Sequence, residues 1–229
     1  MLLLCAALVA VAGCTGGASD TAATTTTTQG AQALLQRSSA SMRGVTSVQF
    51  DLTVAGNLSA VPVRDATGSL TKAGDTKGNA RITEFGQLVQ VEFVLLGDTF
   101  YLKGPTGKYQ KLSASLAESL FDPTAILDPN RGIAHVLANV QNPQPQGGDT
   151  INGQAVTKIT GKVSSQVASK LVPGISTDVN ATLWLANDAK ALPVKAEFVV
   201  PTTGGSSGAT VDVTLTNYNQ PVTVTAPTG

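Results

Sequence analysis

The chain has 229 residues, and 42% of them are hydrophobic, so it is long enough to bury a substantial core. Its 15 basic and 15 acidic residues cancel, only 13% of residues are charged, and 4% are aromatic. Nucleic-acid binding needs a basic surface, and single-strand binding adds stacking aromatic side chains, so a nucleic-acid partner is excluded. One histidine and two cysteines offer no ligand set for zinc, an iron–sulfur cluster or haem, so we expect no metal and no cofactor.

The N-terminus carries an apolar run over residues 2–12, which is too short to span a bilayer and is typical of a signal-peptide core. The run ends in Val11-Ala12-Gly13-Cys14, which resembles the lipobox of bacterial lipoproteins. We therefore predict a signal peptide over residues 1–13 and a lipid anchor on Cys14. The usual basic n-region is missing, and an ordinary signal peptide followed by an unrelated cysteine is the alternative. Because Cys5 lies in the predicted signal peptide, the mature chain can form no internal disulfide.

Residues 14–29 are predicted to form a lipidated, flexible, Thr-rich tether. The stretch includes an unbroken run from Thr24 to Thr28 and shows no apolar periodicity. Such a segment cannot offset the entropy lost on ordering, and its length corresponds to a root-mean-square span of roughly 20 Å. Residues 30–229 are predicted to form one domain held close to the membrane.

Beyond the tether the apolar spacing first indicates a helix and then strands. Ala31, Leu34, Leu35 and Met42 mark one face of a helix that is predicted to end at Gly44. Apolar and polar residues then alternate over 48–54, 89–95, 179–185, 210–216 and 222–225, and more weakly over 61–71, 78–84, 99–103, 108–112, 154–163 and 193–200. Strands of this kind, with one apolar and one polar side, are typical of an antiparallel sheet that has one solvated face.

The middle of the chain is predicted to contain short helices. Asp-Pro pairs at 122–123 and 128–129 are typical helix starts. Apolar stripes of helical spacing are formed by Ile133, Val136, Leu137 and Val140; by Leu112, Leu116 and Leu120; and, after Ser164 or Ser165, by Val167, Leu171 and Val172. The predicted fold class is α+β, a curved antiparallel sheet with short helices packed on its concave face.

No arrangement of catalytic residues is apparent in the sequence. His135, the only histidine, adjoins Val136 in a predicted amphipathic helix, where a structural role is favoured over a catalytic one. The glycine-rich run at 204–208 joins two predicted strands and indicates a hairpin loop rather than a phosphate-binding loop. We therefore predict that the protein is not an enzyme.

The apolar faces can either close over a dry core or leave a cavity. Several inward candidates are small, including Ala80, Val91 and Ala181, and one tryptophan and six phenylalanines supply few large rings. Periodicity alone still favours a filled core.

Several motifs resemble the mycobacterial LppX/LprA/LprF/LprG lipoprotein family. They are residues 122–134 (Asp-Pro-Thr-Ala-Ile-Leu-Asp-Pro-Asn-Arg-Gly-Ile-Ala), 140–143 (Val-Gln-Asn-Pro), 148–153, 158–162, 182–185 and 214–218. The similarity covers residues 30–227 in order, with Tyr218 where the family usually has tryptophan. The Val-Gln-Asn-Pro phrase favours the LprF-like branch.

The resemblance implies a half-barrel fold related to the LolA/LolB carriers, with a hydrophobic cavity between sheet and helices, and so reverses the preference for a filled core. It also implies that the protein binds an acylated glycolipid or phospholipid and carries it from the plasma membrane toward the outer cell envelope. We expect a monomer, anchored in the cell membrane through Cys14 and facing the periplasm or cell wall. The residues predicted to line the cavity are Phe50, Leu52, Val54, Ala80, Ile82, Val91, Phe93, Leu137, Leu183, Val211 and Val213.

A second hypothesis is a non-enzymatic envelope lipoprotein that modulates a membrane transporter or sensor kinase through surface contacts. It predicts a filled core and no lipid that co-purifies with the protein. A membrane transporter is also a candidate partner for a carrier.

Overall fold

The structure is a computed structural model that describes residues 27–56, 62–113, 123–172, 175–201 and 208–228. The predicted signal peptide, Cys14 and the tether up to residue 26 lie outside these residues. So do Leu116, Leu120 and most of the glycine-rich run at 204–208. Across the described ranges, no helix combines the length and the apolar character that crossing a membrane requires.

The described residues form four helices: α1 (Thr28–Met42), α2 (Pro123–Ile126), α3 (Ile133–Ala138) and α4 (Ser165–Leu171). α1 begins within the predicted tether, because the Thr27 hydroxyl accepts a hydrogen bond from the Gly30 N–H at 3.2 Å and caps the first turn. With 15 residues α1 is longer than the short helices that the sequence predicted. Its buried face carries the predicted apolar residues, including Ala31, Leu35 and Met42.

The strands alternate with short turns in the first half of the chain and follow the helices in the second. They are β1 (Ser47–Ala55), β2 (Val63–Thr71), β3 (Thr76–Glu84), β4 (Gln87–Leu96), β5 (Thr99–Lys103), β6 (Tyr109–Ser113), β7 (Gln141–Ile151), β8 (Gln154–Val163), β9 (Val179–Ala186), β10 (Pro193–Val200) and β11 (Ala209–Thr216).

In the described part of the chain all strands belong to one antiparallel sheet of 11 strands, in the order β6-β5-β4-β3-β2-β1-β11-β10-β9-β8-β7. The first and last strands of the chain lie side by side at the centre, with Leu52 opposite Val213 and Val54 opposite Val211. The sheet does not close, since β6 and β7 remain as edges. The predicted α+β half-barrel, a curved antiparallel sheet with helices on one face, is confirmed.

Two strand predictions were wrong. The first is β7, which was missed because its sequence contains Pro143 and Pro145 and does not alternate. β7 is an edge strand, and its register shifts between Gln141 and Gln144 and between Pro145 and Gly148, so it can accommodate both prolines. Residues 222–225 alternate but form no strand. Both hydrogen-bonding edges of β1 are already occupied, by β2 and β11, so the end of the chain has no adjacent edge to join.

The main core lies between the sheet and the helices, with α1 and α3 packed against each other. The buried Ser39 hydroxyl donates to the carbonyl of Ala134 at 2.7 Å and ties the two helices together. Leu35, Leu137 and Ile159 are almost completely buried in this layer. The helices therefore rest on an apolar face that strands of period two present to them.

The opposite face of the sheet is not wholly polar, as it carries Trp184. This ring is 7% exposed, packs with Val156 and Val194, and donates from Nε1 to Oδ2 of Asp149 at 3.1 Å. The ammonium groups of Lys158 and Lys195 lie 5.1 and 5.0 Å from the ring centroid. Their alkyl chains and charges therefore cover an aromatic ring outside the main core.

Candidate functional site

A cavity of about 130 Å³ lies between the sheet and helices α2, α3 and α4. Every side chain that lines it is apolar, so it offers no hydrogen bond to water and favours a hydrocarbon occupant. The lining residues are Phe50, Leu52, Leu70, Ile126, Ile133, Val136, Leu137, Leu171, Val172, Leu183, Pro193, Ala196, Phe198, Val211, Val213 and Leu215.

The floor of the cavity is set by the register of four central strands. One row of paired residues crosses β1, β11, β10 and β9 and consists of Leu52, Val213, Ala196 and Leu183. Paired residues in adjacent strands point to the same face, so these four side chains face the helices together. The only short side chain in the row, Ala196, leaves room above the centre of the sheet.

Six of the residues that the sequence predicted for the cavity do line it. They are Phe50, Leu52, Leu137, Leu183, Val211 and Val213. Several further lining residues stood on the predicted helical stripes without being assigned to the cavity, namely Ile133, Val136, Leu171 and Val172. Alternation identifies the apolar face of a strand, and a helical stripe identifies a packed face, but neither shows where the two layers leave space.

Five predicted lining residues do not touch the cavity: Val54, Ala80, Ile82, Val91 and Phe93. Ala80 and Val91 lie in register with Leu52 through Ala66, so they occupy the predicted face of the sheet. Their strands, however, are the second and third neighbours of β1 on the side away from β11. Helices α2, α3 and α4 line the cavity together with strands β2, β1, β11, β10 and β9, so β3 and β4 lie outside it.

Two phenylalanine rings lie against the sheet near the side of the cavity that faces β3 and β4. Gly68 and Gly78 face each other in the sheet, and a Cβ atom on them would lie 3.0 Å from Cζ of Phe50 and 2.9 Å from Cζ of Phe93, respectively. The rings thus occupy the space that side chains on the two glycines would need. Phe50 lines the cavity and Phe93 does not, and Leu70 on β2 is the lining residue nearest to β3.

The exposure of the lining residues varies along the sheet. Leu70 and Leu215, where β2 and β11 end, are 0% and 5% exposed. Leu52, Val211 and Phe198, near the end of β1, are only half-buried. Val54 and Ala209, farther toward the same end, are buried at 6% and 1%, so this end of the sheet is also closed over. We call the end at which β1 ends and β11 begins the hairpin end, because the β3–β4 turn also lies there.

The residue that follows the last strand supports one wall of the cavity. The Tyr218 hydroxyl donates to the carbonyl oxygen of the lining residue Pro193 at 2.6 Å. The phenol is buried, and this burial raises its pKa well above the ordinary value, so the hydroxyl stays protonated and able to donate. Tyr218 thus fixes the first residue of β10 beside the cavity.

His135 lies on α3, next to the lining residue Val136, and is half-buried. Burial lowers the pKa of its imidazole below the ordinary value, and the positive charges of Lys170 and Arg43 lower it further. Its Nδ1 is 3.3 Å from Nδ2 of Asn139. The neutral imidazole is therefore the form that the folded helix layer favours.

This arrangement predicts a loss of stability on mild acidification. The folded pKa of His135 lies below the unfolded value of 6.5, so the unfolded chain binds more protons as the pH falls through 6.5. The free energy of unfolding should decrease over this range, by no more than about 1.4 kcal/mol per pH unit for one proton. Urea unfolding between about pH 5 and pH 7.5, above the carboxylate range, measures it. His135→Gln should lack the decrease, and an unchanged pH dependence in this variant would contradict the assignment.

The described residues contain no group of three or more histidine, cysteine, aspartate or glutamate side chains placed to hold a metal ion. No charged residue lines the cavity either. The site is thus suited to enclosing an apolar group rather than to acid–base chemistry or metal binding.

The chain is similar to curated mycobacterial proteins over nearly its whole length. It is 34% identical over 208 residues to the "Putative diacylated glycolipid transporter LprF" of Mycobacterium bovis, covering 87% of this chain and 78% of that protein. It is 33% identical over 241 residues to the "Lipoarabinomannan carrier protein LprG" of Mycolicibacterium hassiacum, covering 98% and 96%. The relatives named LprF and LprG are about equally identical to this chain, so its assignment to the LprF-like branch stays a prediction.

Solved structures show the same architecture. The crystal structure of LprF from Mycobacterium bovis superposes with a TM-score of 0.74 at 32% identity, covering 87% of this chain and 97% of that one. The Mycobacterium tuberculosis lipoprotein LppX has the same fold, with a TM-score of 0.65 at 24% identity over 86% of this chain and 99% of that one. The sequence model described as "LppX_LprAFG lipoprotein" matches residues 30–224, and with it the prediction from the sequence motifs is confirmed: the chain belongs to the LppX/LprA/LprF/LprG lipoprotein family.

Proposed function

We propose that the protein is a non-enzymatic lipid carrier, which holds the acyl chains of a diacylated glycolipid or related lipid in the cavity. The observation that carries the proposal is the wholly apolar lining of a cavity between sheet and helices. The names of its relatives, a diacylated glycolipid transporter and a lipoarabinomannan carrier, support the same class of cargo.

The carrier role addresses a specific energetic cost. Exposing one acyl chain of about 16 carbons to water costs on the order of 13 kcal/mol, at about 0.8 kcal/mol for each methylene. A cavity without polar groups replaces that exposure by contact with aliphatic side chains, while the polar head group stays outside. Transfer through the aqueous space between two membranes then no longer requires a bare chain in water.

The cavity has to enlarge to take up a whole chain. Its volume of about 130 Å³ is below the range of about 300–1,000 Å³ that is usual for ligand pockets. Its helical wall consists of α2, α3 and α4, with four, six and seven residues, which are too short to be stable apart from their packing. Movement of α3 and α4 away from the sheet enlarges the cavity without breaking any strand pairing.

The anchor and the direction of transport are part of the proposal. Acylation of Cys14 holds the protein at the plasma membrane, and the tether keeps the domain within reach of the bilayer from which it takes lipid. Delivery is toward the outer cell envelope. In cells that lack the protein, the cargo lipid should accumulate in the plasma-membrane fraction.

Native mass spectrometry of the full chain purified from its own host tests the proposal. We expect bound lipid whose mass fits two acyl chains, and we expect delipidated protein to take up a diacylated glycolipid but not its deacylated form. A folded protein that carries no lipid and takes none up would contradict the carrier function. That result would instead support the surface-acting lipoprotein that modulates a membrane transporter or sensor kinase.

A further inference from the structure

The β3–β4 hairpin ends in an apolar tip that the core does not use. Its two-residue turn consists of Phe85 and Gly86, between the paired residues Glu84 and Gln87. The Phe85 side chain is 98% exposed and that of Leu88 is 61% exposed. Among the described residues these two are the large hydrophobic side chains that stand exposed, and they lie three positions apart on one hairpin.

The backbone of this turn does not favour phenylalanine. Phe85 and Gly86 have φ angles of 48° and 78°, so both lie in the left-handed region, as in a type I′ hairpin turn. Asparagine, aspartate and glycine adopt this conformation readily, whereas a bulky side chain there is strained. Phe85 thus combines an unfavourable backbone with a ring that gains nothing from packing. Neither the local geometry nor the stability of the fold explains why a phenylalanine stands at position 85.

The tip extends beyond the pairing of β4 with β5. The last pair of β4 with β5 joins Glu92 to Lys103, and Gln87 lies five residues farther along β4 (92 − 87). At about 3.4 Å per residue the hairpin therefore projects about 17 Å past that pair. On its other side, β3 is bonded to the chain before β2 as far as Thr83, whose N–H donates to the carbonyl of Pro62 at 2.7 Å. The two-residue turn is thus narrow and lies well past the β4–β5 pairing.

A lipid bilayer fits this projection better than a protein partner does. A stable protein interface buries about 800 Å² on each side, which two side chains on a narrow tip do not supply. A single aromatic ring, by contrast, enters the interfacial layer of a membrane on its own. The exposed Lys108 in the β5–β6 turn lies at the same end of the sheet, where it can approach lipid phosphates.

We propose that Phe85 and Leu88 insert into the lipid–water interface of the bilayer and hold the hairpin end of the sheet against the membrane. The cavity lies on the helix-bearing face of the same sheet, so docking by the tip holds the cavity close to the lipids. Membrane insertion of the tip does not depend on the proposed carrier function. Its consequence, faster exchange of lipid between bilayer and cavity, rests on that function.

Insertion is tested with the anchored full chain reconstituted into vesicles of phosphatidylcholine that carries bromine on its acyl chains. We expect the indole introduced by Phe85→Trp to be quenched by the brominated lipid, beyond the signal of Trp184 in the unchanged protein. Asp98→Trp is the matched control, because Asp98 is an exposed turn residue at the opposite end of the sheet. Equal quenching in the two variants, or none in either, overturns the proposal.

Phe85→Asn separates membrane docking from folding and from cargo binding. Asparagine suits the left-handed turn, so the thermal midpoint should rise by a few degrees. Transfer of a diacylated glycolipid between vesicles should slow by about five- to tenfold, since the ring no longer enters the interface, while the amount of lipid bound at equilibrium stays unchanged. Unchanged transfer, relative to a wild-type protein that does transfer lipid, overturns the proposal. A wild-type protein that docks but binds no lipid would contradict only the carrier function.

Discussion

Ala196→Trp is expected to reduce the uptake of a diacylated glycolipid by delipidated protein at least about tenfold, a loss of about 1.4 kcal/mol or more in binding free energy. Ala196 lies in the middle of the cavity floor, between Val213 and Leu183, and is 8% exposed. An indole at this position occupies the cavity of about 130 Å³ and holds the helices in place of the acyl chain. Titration with a fluorescent diacylated glycolipid measures the effect.

Ala80→Trp is the matched control for this experiment. Ala80 is also an alanine on the helix-bearing face of the sheet, is 7% exposed and lies outside the cavity. Both substitutions overpack a buried position, so both should cost about 1–3 kcal/mol of stability. Only Ala196→Trp should block uptake. Equal loss in the two variants would instead restore the wider lining that the sequence predicted, and full uptake by Ala196→Trp would contradict the cavity assignment.

Gly132→Ala should be the most destabilising of the small substitutions, by about 3 kcal/mol or more. A Cβ atom on Gly132 would lie 2.1 Å from the carbonyl oxygen of Ile126 and 2.2 Å from that of Ala125. Both atoms belong to the backbone, so the chain between α2 and α3 has to shift. Urea unfolding at neutral pH measures the loss.

Gly104→Ala supplies the comparison for this prediction. A Cβ atom there meets no atom within 4 Å, so the change should alter the free energy of unfolding by no more than about 0.5 kcal/mol. The displacement caused by Gly132→Ala also moves Ile126 and Ile133, so lipid uptake should fall together with stability. A Gly132→Ala variant as stable as Gly104→Ala would show that the segment between α2 and α3 is not tightly packed.

The contrast between Ala196 and Ala80 shows what can be predicted from a sequence of this kind. Both alanines stand at apolar positions of alternating strands, and both do face the helix layer. Only Ala196 lines the cavity, because β10 belongs to the strands that form it with the described helices α2, α3 and α4, whereas β3 lies beyond β1 and β2. The same holds for the helices. Their apolar stripes identified Ile133, Val136 and Leu171 as packed positions, but gave no sign of the cavity beside them.

The sequence by itself determined the family, the antiparallel sheet, the apolar face of most strands and the positions of α1, α2 and α4, because these follow from local periodicity, capping and motifs. It also identified the apolar stripe of α3, but that helix begins at Ile133 and not at the predicted Asp-Pro start of 128–129. It did not reveal β7, whose prolines are tolerated only because the strand lies at an edge of the sheet. The position of the cavity and the projection of Phe85 were decided by the tertiary structure alone. Both depend on which strands become neighbours and on how far they extend past one another, and these are relations between distant segments that no local pattern contains.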